Sequence, residues 1–183
     1  MHRITRRQLF RTAGASAAVA LSAPSVQAQQ SLNALRFAAQ ADLKILDPVW
    51  TTAYITRNHA YLVFDTLFGT DENFQIKPQM VDRVSISSDG MKYTFVLRDH
   101  LRWHDGNPVV AEDCVESLKR WGKSNRFGQL LMAHTGKLTP IDQRTFTLEL
   151  AEPFGAVFDA LGKPSGNVPF MMPARIASVR ASL

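Results

Sequence analysis

The sequence predicts an α/β or α+β domain that follows a removable leader. Segments with the period-two alternation of strands and segments with helical spacing follow one another along the chain. The composition, 45% hydrophobic and 20% charged over 183 residues, is that of a globular protein with a substantial core. The single cysteine, Cys114, excludes a scaffold of internal disulfides.

The first 28 residues have the layout of an export signal. Arg6 and Arg7 precede the weakly apolar stretch Ala13–Ala23, and small residues follow up to Ala28. The paired arginines indicate twin-arginine export, and an ordinary secretory signal with a chance Arg-Arg pair is the alternative. An apolar stretch of 11 residues is too short to span a bilayer, which takes about 20. We therefore expect cleavage after Ala28 and a periplasmic mature chain.

Most of the excess positive charge lies in this leader. The formal net charge is +5, but residues 1–28 contain four arginines and no acid, which leaves 17 basic against 16 acidic residues. A remainder so evenly balanced, with no run of Lys and Arg, does not predict a nucleic-acid-binding surface.

The mature chain begins with a predicted strand at 34–39. A loop containing Asp47 and Pro48 follows, because the residue before a proline avoids the helical conformation. Residues 53–64 then favour a helix.

The next block predicts a β-hairpin around the turn signal Asp89-Gly90. Apolar residues alternate with polar ones on both sides of this turn. We expect them to share one buried face: Val84, Ile86, Tyr93, Phe95 and Leu97.

A helix is predicted after Pro108, with Glu112 and Asp113 in its first turn, where acids complement the helix dipole. Its apolar face is formed by Val115, Leu118 and Trp121. The remaining predicted elements are strands at 135–141 and 144–150 and a short helix at 154–162; residues 163–183 contain three prolines and little periodicity.

One segment is a candidate binding site. Trp50, Thr51, Thr52 and Tyr54 follow the predicted first strand, and in open α/β sheets ligands bind at the carboxyl ends of strands. The segment offers two aromatic rings and two hydroxyls, and a purely structural role is the alternative.

The other candidates favour structural roles. His104 and Asp105 match no metal-ligand or acid–base spacing, and the Asp-Gly turn explains them. Cys114 is expected to be a small buried helix residue rather than a nucleophile, because its acidic neighbours raise a thiol pKa. Trp103 and Trp121 are expected in the core.

Several stretches together resemble the bacterial extracellular solute-binding proteins of family 5. They are Leu35-Arg36-Phe37 with Leu46-Asp47-Pro48, Val63-Phe64-Asp65-Thr66-Leu67-Phe68, Ser88-Asp89-Gly90 with Tyr93-Thr94-Phe95, and Leu101-Arg102-Trp103-His104-Asp105-Gly106 with Pro108-Val109 and Ala111-Glu112-Asp113-Cys114-Val115. The resemblance runs to about Pro173.

The resemblance implies the N-terminal lobe of a two-lobed, type II periplasmic-binding-protein-like fold that closes over a solute. It implies a monomer without cofactor or catalysis, which delivers a small peptide or related solute to an ABC permease. A dipeptide, an oligopeptide, glutathione, a nickel complex, an opine and a sugar all remain open as solutes.

Family members are much longer than this chain, so we expect residues 29–183 to be an incomplete lobe that binds solute weakly by itself. Two alternatives remain. One is an exported hydrolase that uses His104 and Asp105, and the other is a truncated product without activity.

The leader generates the first testable prediction. Mass spectrometry of periplasmic material should find a chain that begins at Gln29, because cleavage after Ala28 fits the small residues there. Full-length chain retained in the cytoplasm would contradict it.

Overall fold

Helices and strands succeed one another along residues 37–178, the part of the chain that this computed structural model describes. In chain order they are α1 (Tyr54–Val63), β1 (Phe68–Thr70), β2 (Ile76–Pro78), β3 (Val81–Ile86), β4 (Lys92–Leu97), α2 (Ala111–Ser124), α3 (Arg126–His134), β5 (Thr135–Pro140), β6 (Thr145–Leu150), α4 (Val157–Leu161) and α5 (Ala174–Ala177). All of them lie in one compact unit that begins at Ala39. The predicted leader, residues 1–28, lies outside the described residues.

A four-stranded antiparallel sheet, in the order β3-β4-β6-β5, forms one layer of this unit, and β1 and β2 pair separately. β4 is a central strand, and its Phe95 lies opposite Val84 of β3 and Phe146 of β6. The rings of Phe95 and Phe146 stack with centroids 4.9 Å apart. Alternation along β4 therefore directs one apolar face into the core, as predicted.

Helix α2 contributes the largest buried side chain, Trp121, to that core. α3 crosses close to it because Gly128 has no side chain: a Cβ there would lie 2.9 Å from the Trp121 ring. A Cβ at Gly122 would lie 2.4 Å from Met132 of α3. The two glycines allow the helices to approach at the indole.

The polar atoms of α2 hold a distant segment, residues 167–174, which has little regular structure before α5 begins at Ala174. Asp113 Oδ1 accepts from the Ala174 amide at 2.7 Å, and Ser117 Oγ bonds both the amide and the carbonyl of Met172. Trp121 Nε1 donates to the Asn167 carbonyl at 2.7 Å. Because residues four apart lie along one face of a helix, Asp113, Ser117 and Trp121 form a single row, which we call the α2 row.

Most predicted elements are confirmed with small shifts of their ends. The helix predicted at 53–64 is α1, the hairpin is β3 and β4, and the strands predicted at 135–141 and 144–150 are β5 and β6. The helix after Pro108 is α2, and the one predicted at 154–162 is the shorter α4.

The predicted first strand is wrong in its described part. Residues 37–39 of the predicted strand 34–39 have no regular structure, and residues 34–36 lie outside the described residues. Ile86 lies opposite Tyr93, on the predicted face, but it is not buried: it is the last residue of the edge strand β3 and is 48% exposed.

Four elements were not predicted, namely the strands β1 and β2 and the helices α3 and α5. α3 carried a signal in the sequence, because Asn125 is a preferred N-cap residue and its Oδ1 accepts from the Phe127 and Gly128 amides.

Two expectations for single residues are confirmed. Cys114 is fully buried in α2, and burial, with a smaller effect from Asp113, raises the pKa of its thiol. Trp103 packs against the core while partly exposed, and its Nε1 donates to Asp113 Oδ2 at 2.9 Å. The same Oδ2 accepts from the Val110 amide, so Trp103 helps to hold the start of α2.

Replacing this indole should destabilise the fold. We expect Trp103→Ala to lower the free energy of unfolding by about 3 kcal/mol, the lower end of the cost of losing a packed aromatic ring. Trp103→Phe should cost about 1 kcal/mol, since it removes mainly the hydrogen bond to Asp113. Denaturant titration measures both, with the half-exposed Trp50→Ala as control. Equal losses for Trp103→Ala and Trp50→Ala would contradict a scaffold role.

Candidate functional site

The segment Asp47–Thr52 is a loop whose base is fixed by charge and main-chain hydrogen bonds. Asp47 Oδ1 accepts from the Val49 amide at 3.0 Å, and its carboxylate forms an ion pair with Arg120 of α2. Thr56 Oγ1 of α1 donates to the Ile45 carbonyl at 2.8 Å, which ties the approach to the loop to the helix that follows it.

The side chain of Asn167 holds this loop from inside. Its Nδ2 lies 3.1 Å from the Pro48 carbonyl oxygen, 3.2 Å from that of Val49 and 2.9 Å from that of Thr51. Asn167 is buried, and its own carbonyl accepts from Trp121 of the α2 row. One residue therefore connects the row to three carbonyls of the loop.

With the loop held in this way, one of its sides is buried and the other is exposed to solvent. Pro48 and Val49 are buried, whereas Trp50 is 50% exposed and Tyr54 is 63% exposed. Thr52 is exposed, and Thr51 Oγ1 accepts from the Ala53 amide at 3.2 Å. The candidate residues are thus brought together as an exposed surface of aromatic rings and a hydroxyl on a fixed backbone.

A cavity of about 460 Å³ lies along α1, where Arg57, Asn58 and Tyr61 form part of its wall. Arg57 lines it and stacks its guanidinium over the Tyr54 ring, 4.5 Å from Cζ to the ring centroid. Tyr61, also on its wall, donates its hydroxyl to the Pro164 carbonyl at 3.0 Å, and burial, partly opposed by Arg57, raises the pKa of this phenol.

The structure changes the reason for regarding this segment as a site. The prediction placed this segment after a first strand at 34–39, in the crevice at the carboxyl end of an open α/β sheet. No strand precedes the loop within residues 37–53, and every strand pair in the described part is antiparallel. Anchoring by Asn167 and Arg120, rather than a strand end, is what holds the rings outward.

Sequence reasoning missed Asn167, Arg120 and Arg57. Asn167 lies 116 or more residues from the loop carbonyls it binds, so no local spacing reveals that contact. Arg57 carried a usable signal, because residues three apart on a helix are neighbours and Tyr54 and Arg57 have that spacing.

His104 and Asp105 do not form an acid–base pair. Both are exposed; Asp105 Oδ2 accepts from Arg175 at 2.7 Å, and its Oδ1 accepts from the Asn107 amide. The hydrogen bond from Arg175 is the main cause that lowers the pKa of this carboxyl. No cluster of three His, Cys, Asp or Glu side chains suited to a metal ion occurs within residues 37–178. No helix in that range has the length and apolar character needed to cross a bilayer.

A family model matches more than half of the chain. Residues 75–180 match the model described as "Bacterial extracellular solute-binding proteins, family 5 Middle". This match confirms the resemblance found in the sequence motifs.

Curated and solved relatives agree with that match. A "probable peptide ABC transporter periplasmic-binding protein y4tO" of Sinorhizobium fredii is 46% identical over 157 residues, which cover 84% of this chain and 29% of the relative. The binding protein AgaA of A. tumefaciens R10, solved with agropinic acid, superposes with a TM-score of 0.63 at 27% identity, covering 74% of this chain and 27% of that one. Haemophilus influenzae OppA, solved with the peptide RPPGFSPFR, has a TM-score of 0.61 at 20% identity, covering 72% and 29%. The chain therefore spans less than a third of the length of these relatives.

Removing the Asn167 carboxamide should loosen the loop. We expect Asn167→Ala to lower the free energy of unfolding by about 1–3 kcal/mol, because it leaves buried carbonyls without a donor. Hydrogen exchange measured by mass spectrometry should speed up in peptides covering residues 47–53. The control is Asn73→Ala, at an exposed position in the β1–β2 turn. Unchanged exchange at 47–53 in Asn167→Ala would contradict the anchoring role.

Proposed function

Because this chain belongs to the bacterial extracellular solute-binding proteins of family 5, we propose that it captures a peptide outside the cytoplasm for an ABC permease. The whole protein acts as the periplasmic binding component of an importer, exported by the signal at residues 1–28 and working as a monomer. Residues 29–183 contribute part of one lobe. The protein binds its solute without a cofactor and without chemical change.

The exposed segment from Trp50 to Tyr54 is the observation that supports this proposal within the chain. Its backbone is already fixed by the hydrogen bonds of Asn167, so the segment loses little conformational entropy when a solute binds to it. Aromatic rings offer large, rigid contact area at low entropic cost, which is why exposed Trp and Tyr mark binding surfaces.

Trp50, Thr51, Thr52 and Tyr54 have distinct roles in this proposal. The two aromatic rings pack against apolar parts of the solute. The Thr52 hydroxyl, and the carbonyls of the loop that Asn167 does not bind, form hydrogen bonds with the main chain of the peptide. Thr51 contributes chiefly by holding the loop, since its Oγ1 already accepts from the Ala53 amide. Closure of a second lobe then buries the surface of the solute that is still exposed, and this burial supplies most of the affinity.

A peptide is the solute that the sequence relationship favours. The relative at 46% identity is named for peptide transport. AgaA, at lower identity, was solved with agropinic acid, so the fold by itself does not select a peptide.

A chimeric protein tests the proposed site. The stretch of the Sinorhizobium relative that this chain matches is replaced by the corresponding residues of this chain, which gives a complete binding protein that carries the loop. We expect Trp50→Ala and Tyr54→Ala each to weaken peptide binding by about tenfold in calorimetry, the loss typical of a contact at the centre of an interface.

The control is Phe74→Ala, which removes an aromatic ring that is 88% exposed in the β1–β2 turn. It should leave the peptide Kd unchanged. Peptide binding that survives both Trp50→Ala and Tyr54→Ala would contradict the site. A chimera that folds and binds no peptide would contradict the proposed solute class.

A further inference from the structure

We propose that the cavity along α1 holds a carboxylate of the solute, bound by Arg57 with the help of Lys163. This inference rests on the proposed function, since it names the kind of peptide that the site prefers. Both cations line the same cavity of about 460 Å³, a size typical of ligand pockets.

Arg57 has donors that the protein does not use. Its Nε is buried and finds no acceptor among the described residues, and one terminal nitrogen bonds only the neighbouring Asn58 Oδ1, at 3.2 Å. No hydrogen bond of the other terminal nitrogen, Nη1, is found among the described residues, so the terminal nitrogens have donors left for a ligand on the cavity side. The planar guanidinium fork matches the two oxygens of a carboxylate.

Lys163 adds a second positive charge to the wall. It follows α4 directly after Gly162 and is partly buried, and this burial lowers the pKa of its ammonium group. Lys163 also borders a second depression, next to Asn125 and Phe127 of the α3 start. We therefore assign the direct contact to Arg57 and a supporting electrostatic role to Lys163.

Neither cation is neutralised within the described residues. The six ion pairs among residues 37–178 involve neither Arg57 nor Lys163. Asp65 is the one acid on the cavity wall, and its Oδ1 accepts from the Thr66 amide. The lining thus keeps a net positive charge beside uncharged hydrogen-bonding groups such as Asn58 and Gln79.

Arg57 links the cavity to the proposed peptide surface. Arg57 stacks on Tyr54, so one face of the guanidinium contacts the exposed segment while the residue lines the cavity. A peptide lying on Trp50 and Tyr54 would therefore reach Arg57 with an acidic side chain or a carboxyl end.

Two peptides that differ in one group test the inference on the chain of 183 residues. Ala-Ala-Glu and Ala-Ala-Gln, both amidated at the carboxyl end, differ only in a side-chain carboxylate. Succinate is a third probe, which needs no peptide contact. Nuclear magnetic resonance titration measures all three, because it detects millimolar binding.

We expect the Glu peptide to bind about fivefold more tightly than the Gln peptide, the preference expected of a charge-assisted hydrogen bond that water partly screens. Arg57→Gln should bring this ratio close to one and abolish the succinate response. Lys163→Gln should reduce the ratio, and Arg83→Gln, which removes an exposed cation of β3, should leave it unchanged.

The outcomes separate this inference from the proposed function. Equal affinity for the two peptides, or a preference that Arg57→Gln leaves intact, overturns the carboxylate site while peptide binding stands. A succinate response that depends on Arg57, without binding of either peptide, supports the anion site and contradicts the peptide function. No response to any of the three probes overturns the carboxylate site.

Discussion

The α2 row is the constraint on which the rest of the described structure depends. Three side chains at four-residue spacing in one helix bind the main chain at residues 167, 172 and 174. Residues 167–174 contain two prolines and do not join a sheet. Without the bonds from α2, most main-chain polar groups of this segment would have no hydrogen-bond partner. Trp121 and Leu118 pack α2 into the core, so its position is fixed. The hydrogen bonds of the α2 row therefore also fix residues 167–174, a segment that has little regular structure.

That rigidity reaches the exposed rings through Asn167. Trp121 fixes its main chain, and its carboxamide fixes the loop beneath Trp50. Arg120, next to Trp121 in α2, binds the same loop through its ion pair with Asp47. Binding surfaces gain affinity when they are ordered before the solute arrives, and here a core helix supplies that order from two adjacent positions.

Local sequence patterns were sufficient to predict the elements whose conformation depends on neighbouring residues. The Asp89-Gly90 turn with its flanking alternation predicts β3 and β4, and acids before an apolar face predict α2. The segment Trp50–Tyr54 was selected for its place after the predicted first strand and for its residue types, but the contacts that shape it depend on Asn167, far away in the sequence. The strand predicted at 34–39 failed over 37–39 because a short apolar run does not by itself provide a pairing partner.

The central claim is that the α2 row positions the exposed loop through Asn167. Hydrogen exchange of Trp121→Phe tests it most directly, because this change keeps an aromatic ring in the core and removes the donor to the Asn167 carbonyl. The account predicts exchange about tenfold faster in peptides covering both 166–172 and 47–53, the effect of losing one buried hydrogen bond. Faster exchange confined to α2, with 47–53 unchanged, would contradict it.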